Sequence, residues 1–410
     1  MPERDEIWSL FIARQTNASS TPTEILISWA FQNGMSGIDD DRAELAGIAL
    51  CWLCSTSSRH IRDRATKALA CMLVHRLSLA GQLIRKFAAV DDLYVLERLV
   101  AAAYGAALQG ASADLCLLAA TVHQTFFASG DPPCNELLRD HARGILHYAA
   151  WRGQLGEAVN LERIDPPNSS PWPLEYVPDN QIQSYKQECG TLHSADRIVY
   201  STTSDGDFAR YIIDHLVGHW FAAPIGAINL PTNGEIARTW IRNFLGTAAD
   251  VQLATFMHIL ETAESLGGKT GWREEPDNPA LKTAEQDFRG TMTSEAWEEY
   301  RVQARSFVNR IMFSAERYGE DEAARFNVMW ARRWVCKRAH DLGWTPERFA
   351  KAERDMRVSY DRTEHKIERI GKKYQWLALY DLASRMADNL AFDDRYEWDE
   401  DEEQVPYVGA

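Results

Sequence analysis

Ile61-Arg62-Asp63-Arg64-Ala65-Thr66-Lys67-Ala68-Leu69, Val95-Leu96-Glu97-Arg98-Leu99-Val100-Ala101-Ala102-Ala103 and Leu138-Arg139-Asp140-His141-Ala142-Arg143-Gly144-Ile145-Leu146 are three versions of one phrase, 34 and 43 residues apart. An apolar residue opens each copy, an acid follows two places on, and small or apolar residues mark out one helix face. Recurrence at this period predicts stacked helical hairpins of the HEAT or TPR kind, in which no unit buries its apolar face without a neighbour.

Outward from these copies the helical pattern continues. Apolar residues at three- and four-residue spacing predict helices at Asp41–Ser55, His60–Leu77, Leu79–Ala89, Asp92–Leu108, Ala113–Ala128 and Asn135–Arg152. Short gaps rich in Gly, Ser, Asp and Pro separate them, as hairpin turns require. The stretch Ile164–Tyr185 carries Pro166, Pro167, Pro171, Pro173 and Pro178 and reads as a boundary, because proline lacks a backbone donor. Beyond it, Asp196–Thr203 (DRIVYSTT) is the best strand candidate, Phe208–Trp220 a helix and Ala222–Gly234 a loop. A second helical block follows: Ala237–Leu245, Val251–Leu266, Ser294–Tyr318, Asp321–Asp341, Pro346–Met356 and His365–Asn389, with Thr345 as N-cap before Pro346. The expected fold is a nearly all-α, HEAT/TPR-like α-solenoid. Its parts are helical repeats over 1–160, a Pro-rich linker and mixed, β-containing insert over 161–235, a helical block over 236–390 and an acidic tail over 391–410.

The 410 residues carry a net charge of −15, of which the segment Asp393–Glu403, with eight acids and one arginine, supplies −7. The remaining body is acidic too, so no basic nucleic-acid surface is expected. The seven cysteines sit mostly in apolar helical phrases, the usage of a reducing compartment, and the charged N-terminus lacks a signal-peptide core. No apolar run reaches the length of a membrane span, and the expected location is the cytoplasm.

Few motifs point to chemistry. Ala263–Thr270 (AESLGGKT) loosely resembles a phosphate loop but follows a helix rather than a strand, so it reads as a helix C-cap. His215 and His219 stand four apart and could share a metal, although Leu216 occupies the place where a zincin has glutamate. Cys51 and Cys54 form a CxxC inside an apolar run and read as packed thiols. Trp330 and Trp334 read as core, with Arg332, Arg333, Lys337 and Arg338 on a solvated face. In Lys366–Trp376 (KIERIGKKYQW), Gly371 interrupts a strong helix, and Lys372, Lys373, Tyr374, Gln375 and Trp376 are candidate partner-contact or hinge residues. No catalytic set and no cofactor site is expected.

Four phrases carry a family likeness: Asp63–Leu69 (DRATKAL), Tyr94–Arg98 (YVLER) with Ala102–Gly105, Gly206–Tyr211 (GDFARY) and Glu368–Asn389. The chain resembles, from Ala43 to Asn389, the C-terminal helical-repeat region of large antiviral STAND NTPases of the AVAST group. The resemblance implies a sensor that recognises a phage structural or packaging protein by shape. The nucleotide-binding and effector parts of such proteins have no counterpart here, and no catalytic residue carries over. Two other readings stand beside it: a scaffold for a separate host NTPase or effector chain, and a metal-dependent enzyme built on His215 and His219.

Overall fold

Helix starts are set by short polar side chains that accept orphan backbone N–H groups. Thr21 caps α2 (Pro22–Phe31), Asp39 caps α3 (Asp40–Leu53), Asp92 caps α6 (Leu93–Gln109) and Asn135 caps α8 (Glu136–Trp151), at 2.9 to 3.3 Å. Between them lie α4 (Arg59–Leu73), α5 (Leu77–Ala88) and α7 (Leu115–Val122), the last continued by a π-turn over His123–Phe127. α1 (Pro2–Gln15) precedes the set. These elements come from a computed structural model that describes residues 1–15, 21–32, 35–110, 114–156, 159–161, 164–171, 174, 177–189, 193–204, 206–217, 220–221, 328–356 and 367–392.

The packing follows a simple rule. α2, α4, α6 and α8 contact one another in succession, α3, α5 and α7 do the same, and the pairs α3/α4, α5/α6 and α7/α8 are hairpins. The three copies of the phrase fall on α4, α6 and α8, all in one row. Equivalent positions are buried together: Ala65, Leu99 and Ala142, then Leu69, Ala103 and Leu146, all fully shielded from solvent. The acid of each copy meets the base of the next. Arg98 lies 3.3 Å from Asp63 and His141 lies 3.9 Å from Glu97, while Arg64 pairs back to Glu24 on α2. The phrase thus encodes both the apolar seam and a charge ladder across the row.

The first apolar core ends at Ile164 and a second begins at Leu174; of the Pro-rich stretch, Leu174, Val177, Ile182 and Tyr185 belong to the second core. The second core joins α9 (Asp179–Cys189), α10 (His193–Thr203), a π-turn over Ala209–Ile213 and α11 (Asp214–Val217) to α12 (Val328–Asp341), α13 (Pro346–Asp355) and α14 (Gly371–Asn389). Residues 174–217 therefore belong to the second block rather than to a separate insert. The predicted strand Asp196–Thr203 is helix α10. Ile198, Val199 and Thr202 form its buried face, and Ser201, Thr202 and Thr203 donate back to the carbonyls of Ile198 and Val199. The β-structure among the described residues is slight: β1 (Trp220–Phe221) pairs antiparallel with β2 (Ala391–Phe392), and Ser58 bridges Ile367. The chain is nearly all-α. The predicted helices Ala237–Leu245, Val251–Leu266 and Ser294–Tyr318, the loop Ala222–Gly234, the segment Ala263–Thr270 and the tail from Asp393 lie outside the described residues.

Buried polar contacts clamp the two blocks together. α1 crosses between them: Ile12 enters the first core while Leu10 and Ala13 pack on the second. Ser9 accepts from the Ser57 hydroxyl at 2.7 Å, and Ser57 in turn accepts the Glu368 backbone N–H at 2.9 Å. At the far end of α14, Arg139 and Asp388, both 1% exposed at their side chains, pair at 2.9 Å. The solvated basic face expected on α12 is overturned in part. Arg332 and Arg333 are buried against Asp214 and Asp179, because a guanidinium can enter the interior when a carboxylate meets it.

Candidate functional site

Where α4, α6, α10 and the start of α14 converge, they enclose a cleft of about 1330 Å³. Arg59, Arg62, Lys67, Arg98, Arg369 and Lys372 line it against three carboxylates, Asp63, Asp207 and Glu368. Six rings share the wall: Tyr94, Tyr200, Phe208, Tyr211, Trp376 and Tyr380. Tyr200 and Tyr211 are 51% and 65% exposed, so they present faces to an incoming ligand. Phe208 packs edge-on against Trp376, which also leans on Tyr380.

Four of the quoted sequence phrases meet here. DRATKAL contributes Asp63, Thr66 and Lys67, YVLER contributes Tyr94 and Arg98, GDFARY contributes Gly206, Asp207, Phe208 and Tyr211, and the last phrase contributes Glu368, Arg369, Lys372, Gln375, Trp376 and Tyr380. Within the cleft the carboxylates are shared. Asp63 lies 3.5 Å from Arg59 and 3.3 Å from Arg98, and Glu368 lies 3.4 Å from Arg62 and 3.2 Å from Lys372. Burial pushes the Glu368 carboxyl up, but Lys372 and Arg62 outweigh it and hold the group below the usual range. Beneath them, burial raises Glu97 to about 7 against the pull of Arg98 and Arg62. More cations than anions face one opening, in an otherwise acidic protein, and that arrangement concentrates anions.

The candidate contact residues of α14 divide by helix face. Lys372 and Trp376 line the cleft. Lys373, Tyr374 and Gln375 turn inward and are 7%, 0% and 1% exposed. Lys373 donates to Asp5 and Asp92 at 2.7 Å each, and Tyr374 donates to Asp5 at 2.9 Å. Burial alone would lower the Lys373 ammonium, but the two carboxylates overcome it and hold it protonated. Gln375 donates to Ile198 O at 3.1 Å, to Ser201 at 3.0 Å and to Thr202. These three residues fasten α14 to α1, α6 and α10; Gln375 reaches the cleft wall but is 1% exposed and committed to α10, so a partner meets Lys372 and Trp376 instead. Gly371 opens α14 rather than interrupting it. A Cβ there would stand 2.6 Å from Trp344 and 2.7 Å from Ile198, so only glycine lets the helix start so close to them.

Other candidates fare differently. His215 is exposed on α11 and His219 lies outside the described residues. Among the described residues, no group of three or more His, Cys, Asp or Glu is placed to hold a metal. Cys51 and Cys54 are fully buried, and burial raises both thiols, Cys54 to about 11, as packed cysteines behave. No helix among the described residues is long and apolar enough to cross a membrane. Sequence reasoning missed Arg59, Arg62, Arg98, Tyr200 and Tyr211 as site residues. The signal was present in the basic positions that flank the acid of each repeated phrase. Compared with protein-family models, with curated proteins and with solved structures, the chain matches none.

Proposed function

We propose that the protein is a recognition module that grips an acidic, aromatic-bearing segment of a protein partner in the cleft between its two helical blocks. The observation that carries this reading is the pairing of six cations with exposed tyrosine faces around one opening. Cations steer and register carboxylates, and aromatic rings supply contact area at low entropic cost. The opening exceeds the ~300–1,000 Å³ of a typical small-molecule pocket, which favours a polymer segment. Clamped blocks keep the surface preformed, so little ordering is required on binding. Under the sensor reading the partner is a phage structural or packaging protein. Under the scaffold reading it is a host NTPase or effector chain.

Selection of a displayed random-peptide library on the purified protein at about 50 mM salt, where charges act beyond ~10 Å, tests the proposal. Enriched peptides are expected to be acidic and aromatic, and to weaken at least about tenfold, ~1.4 kcal/mol, on the Arg59→Glu, Lys372→Glu double variant. Enriched peptides that bind wild type and variant alike would reject the cleft as the binding surface.

A further inference from the structure

The chain itself contains a segment of the composition the cleft selects. Asp393–Glu403 holds eight acids and one arginine with Tyr396 and Trp398 among them, against the net positive lining of the cleft. β2, at Ala391–Phe392, is paired to β1, which follows α11 and the Ala209–Ile213 π-turn, and that turn supplies Tyr211 and Ile212 to the cleft wall. From Trp376 to the end of α14 at Asn389 the helix rises about 20 Å. Six extended residues, from Phe392 to Trp398, also span about 20 Å. The tether is therefore long enough to return Trp398 to the level of Trp376.

Resting on the recognition reading, we infer that the acidic segment Asp393–Glu403 of this same chain occupies the cleft and competes with the partner. Tethering makes binding of the segment intramolecular, so a weak intrinsic affinity suffices to hold it in place about half the time. Nucleic acid fits less well. A longer polyanion would run from the cleft onto a surface whose net charge is negative, and Asp63, Asp207 and Glu368 would oppose closely spaced phosphates. Occupation by the chain's own segment sets a threshold: only a partner that binds better than the tethered competitor displaces it.

Carbodiimide cross-linking of the full chain tests this, because it joins lysine amines to carboxylates in direct contact. The expected product, in the monomer band, links Lys67 or Lys372 to the 393–403 peptide and disappears at high salt. In parallel, a fluorescein-labelled peptide of residues 392–404 is titrated into wild type and into a variant with Glu397, Asp399, Glu400, Asp401, Glu402 and Glu403 changed to their amides. The amide variant is expected to bind the peptide at least about twofold more tightly, the gain from removing a competitor that fills the cleft half the time. Cross-links from the segment only to lysines outside the cleft would overturn the inference. Peptide binding by the amide variant that survives Arg59→Glu, Lys372→Glu would overturn the recognition reading as well, and binding that those changes abolish would leave it standing. Links formed only between two copies would replace the internal occupant with a neighbouring chain. Tighter binding of labelled oligothymidylate than of the peptide would overturn the choice of a carboxylate ligand.

Discussion

Lys373→Met converts the clamp at the start of α14 from an asset into a liability. Asp5 and Asp92 are 0% and 1% exposed, and each accepts from the same ammonium at 2.7 Å. The bonded oxygens are thus no farther apart than about 5.4 Å, the two legs laid end to end. With the cation gone and an effective dielectric of about 20, their repulsion is about 3 kcal/mol. Breaking a buried pair by removing one partner costs about 3–5 kcal/mol. The protein escapes part of this by protonating one carboxyl. That costs about 1.4 kcal/mol per pH unit above an ordinary value of 3.8, hence about 5 kcal/mol at pH 7.5 and about 2 kcal/mol at pH 5. Urea denaturation followed by circular dichroism should show a loss of about 3–5 kcal/mol at pH 7.5 that shrinks to about 2 kcal/mol at pH 5. Adding Asp92→Asn, whose amide oxygen can still cap α6 at Val95, should recover part of the loss at pH 7.5. A loss under about 1 kcal/mol, or one independent of pH, would refute the assignment of this triad as the fastening of α1 and α6 to α14.

Three further outcomes follow from the same interior. Glu353, 2% exposed, accepts the Gly371 N–H at 3.4 Å, and burial raises it from 4.5 to about 7; a proton is bound more readily folded than unfolded, so its contribution is full below pH 4.5 and is lost as pH rises to 7. Glu353→Gln keeps the acceptor without the charge and should gain on wild type by up to about 3 kcal/mol between pH 4.5 and pH 8 in urea titrations, whereas a constant difference across that range would count against it. Gly371→Ala should lose about 1–3 kcal/mol to overpacking against Trp344 and Ile198, despite alanine's better helix propensity, with thermal melting as the check. Asp388→Ala leaves Arg139 buried without a carboxylate, held by the Pro132 and Pro133 carbonyls and the Cys134 sulfur, and should cost about 3 kcal/mol by urea denaturation.

The first block was legible because its signals are local. The helix predicted over Asp92–Leu108 is observed over Leu93–Gln109, and Thr345 caps α13 as expected. The phrase recurrence reported the row α4, α6, α8, since buried small residues at fixed offsets are what stacking demands. The paired acid and base in each copy were legible too, but their meaning needs the neighbouring helix: Asp63–Arg98 and Glu97–His141 are contacts between copies, and Glu24–Arg64 ties the first copy to α2. Asp196–Thr203 misled because β-branched residues suggest a strand, while its hydroxyls are satisfied within a helix by the preceding turn. The inward turn of Lys373 was invisible. Acidic residues default to solvent, and a buried ammonium depends on partners 281 and 368 positions away. The cleft was half legible: its residues stood out as phrases, and their convergence is a property of the fold alone.

The clamp between Asp5, Asp92 and Lys373 also sets a timetable. At ~5–20 residues per second, a ribosome needs roughly 15–60 s to make the 281 positions between Asp92 and Lys373. Throughout that interval Asp5 and Asp92 lack the Lys373 ammonium, and Arg4, 3.7 Å from Asp92, is the cation at hand. The nascent first block keeps this end hydrated and open, and α1 does not settle fully until α14 has been translated. α14 therefore closes α1 from 368 positions away, which makes synthesis of the one a condition for finishing the other.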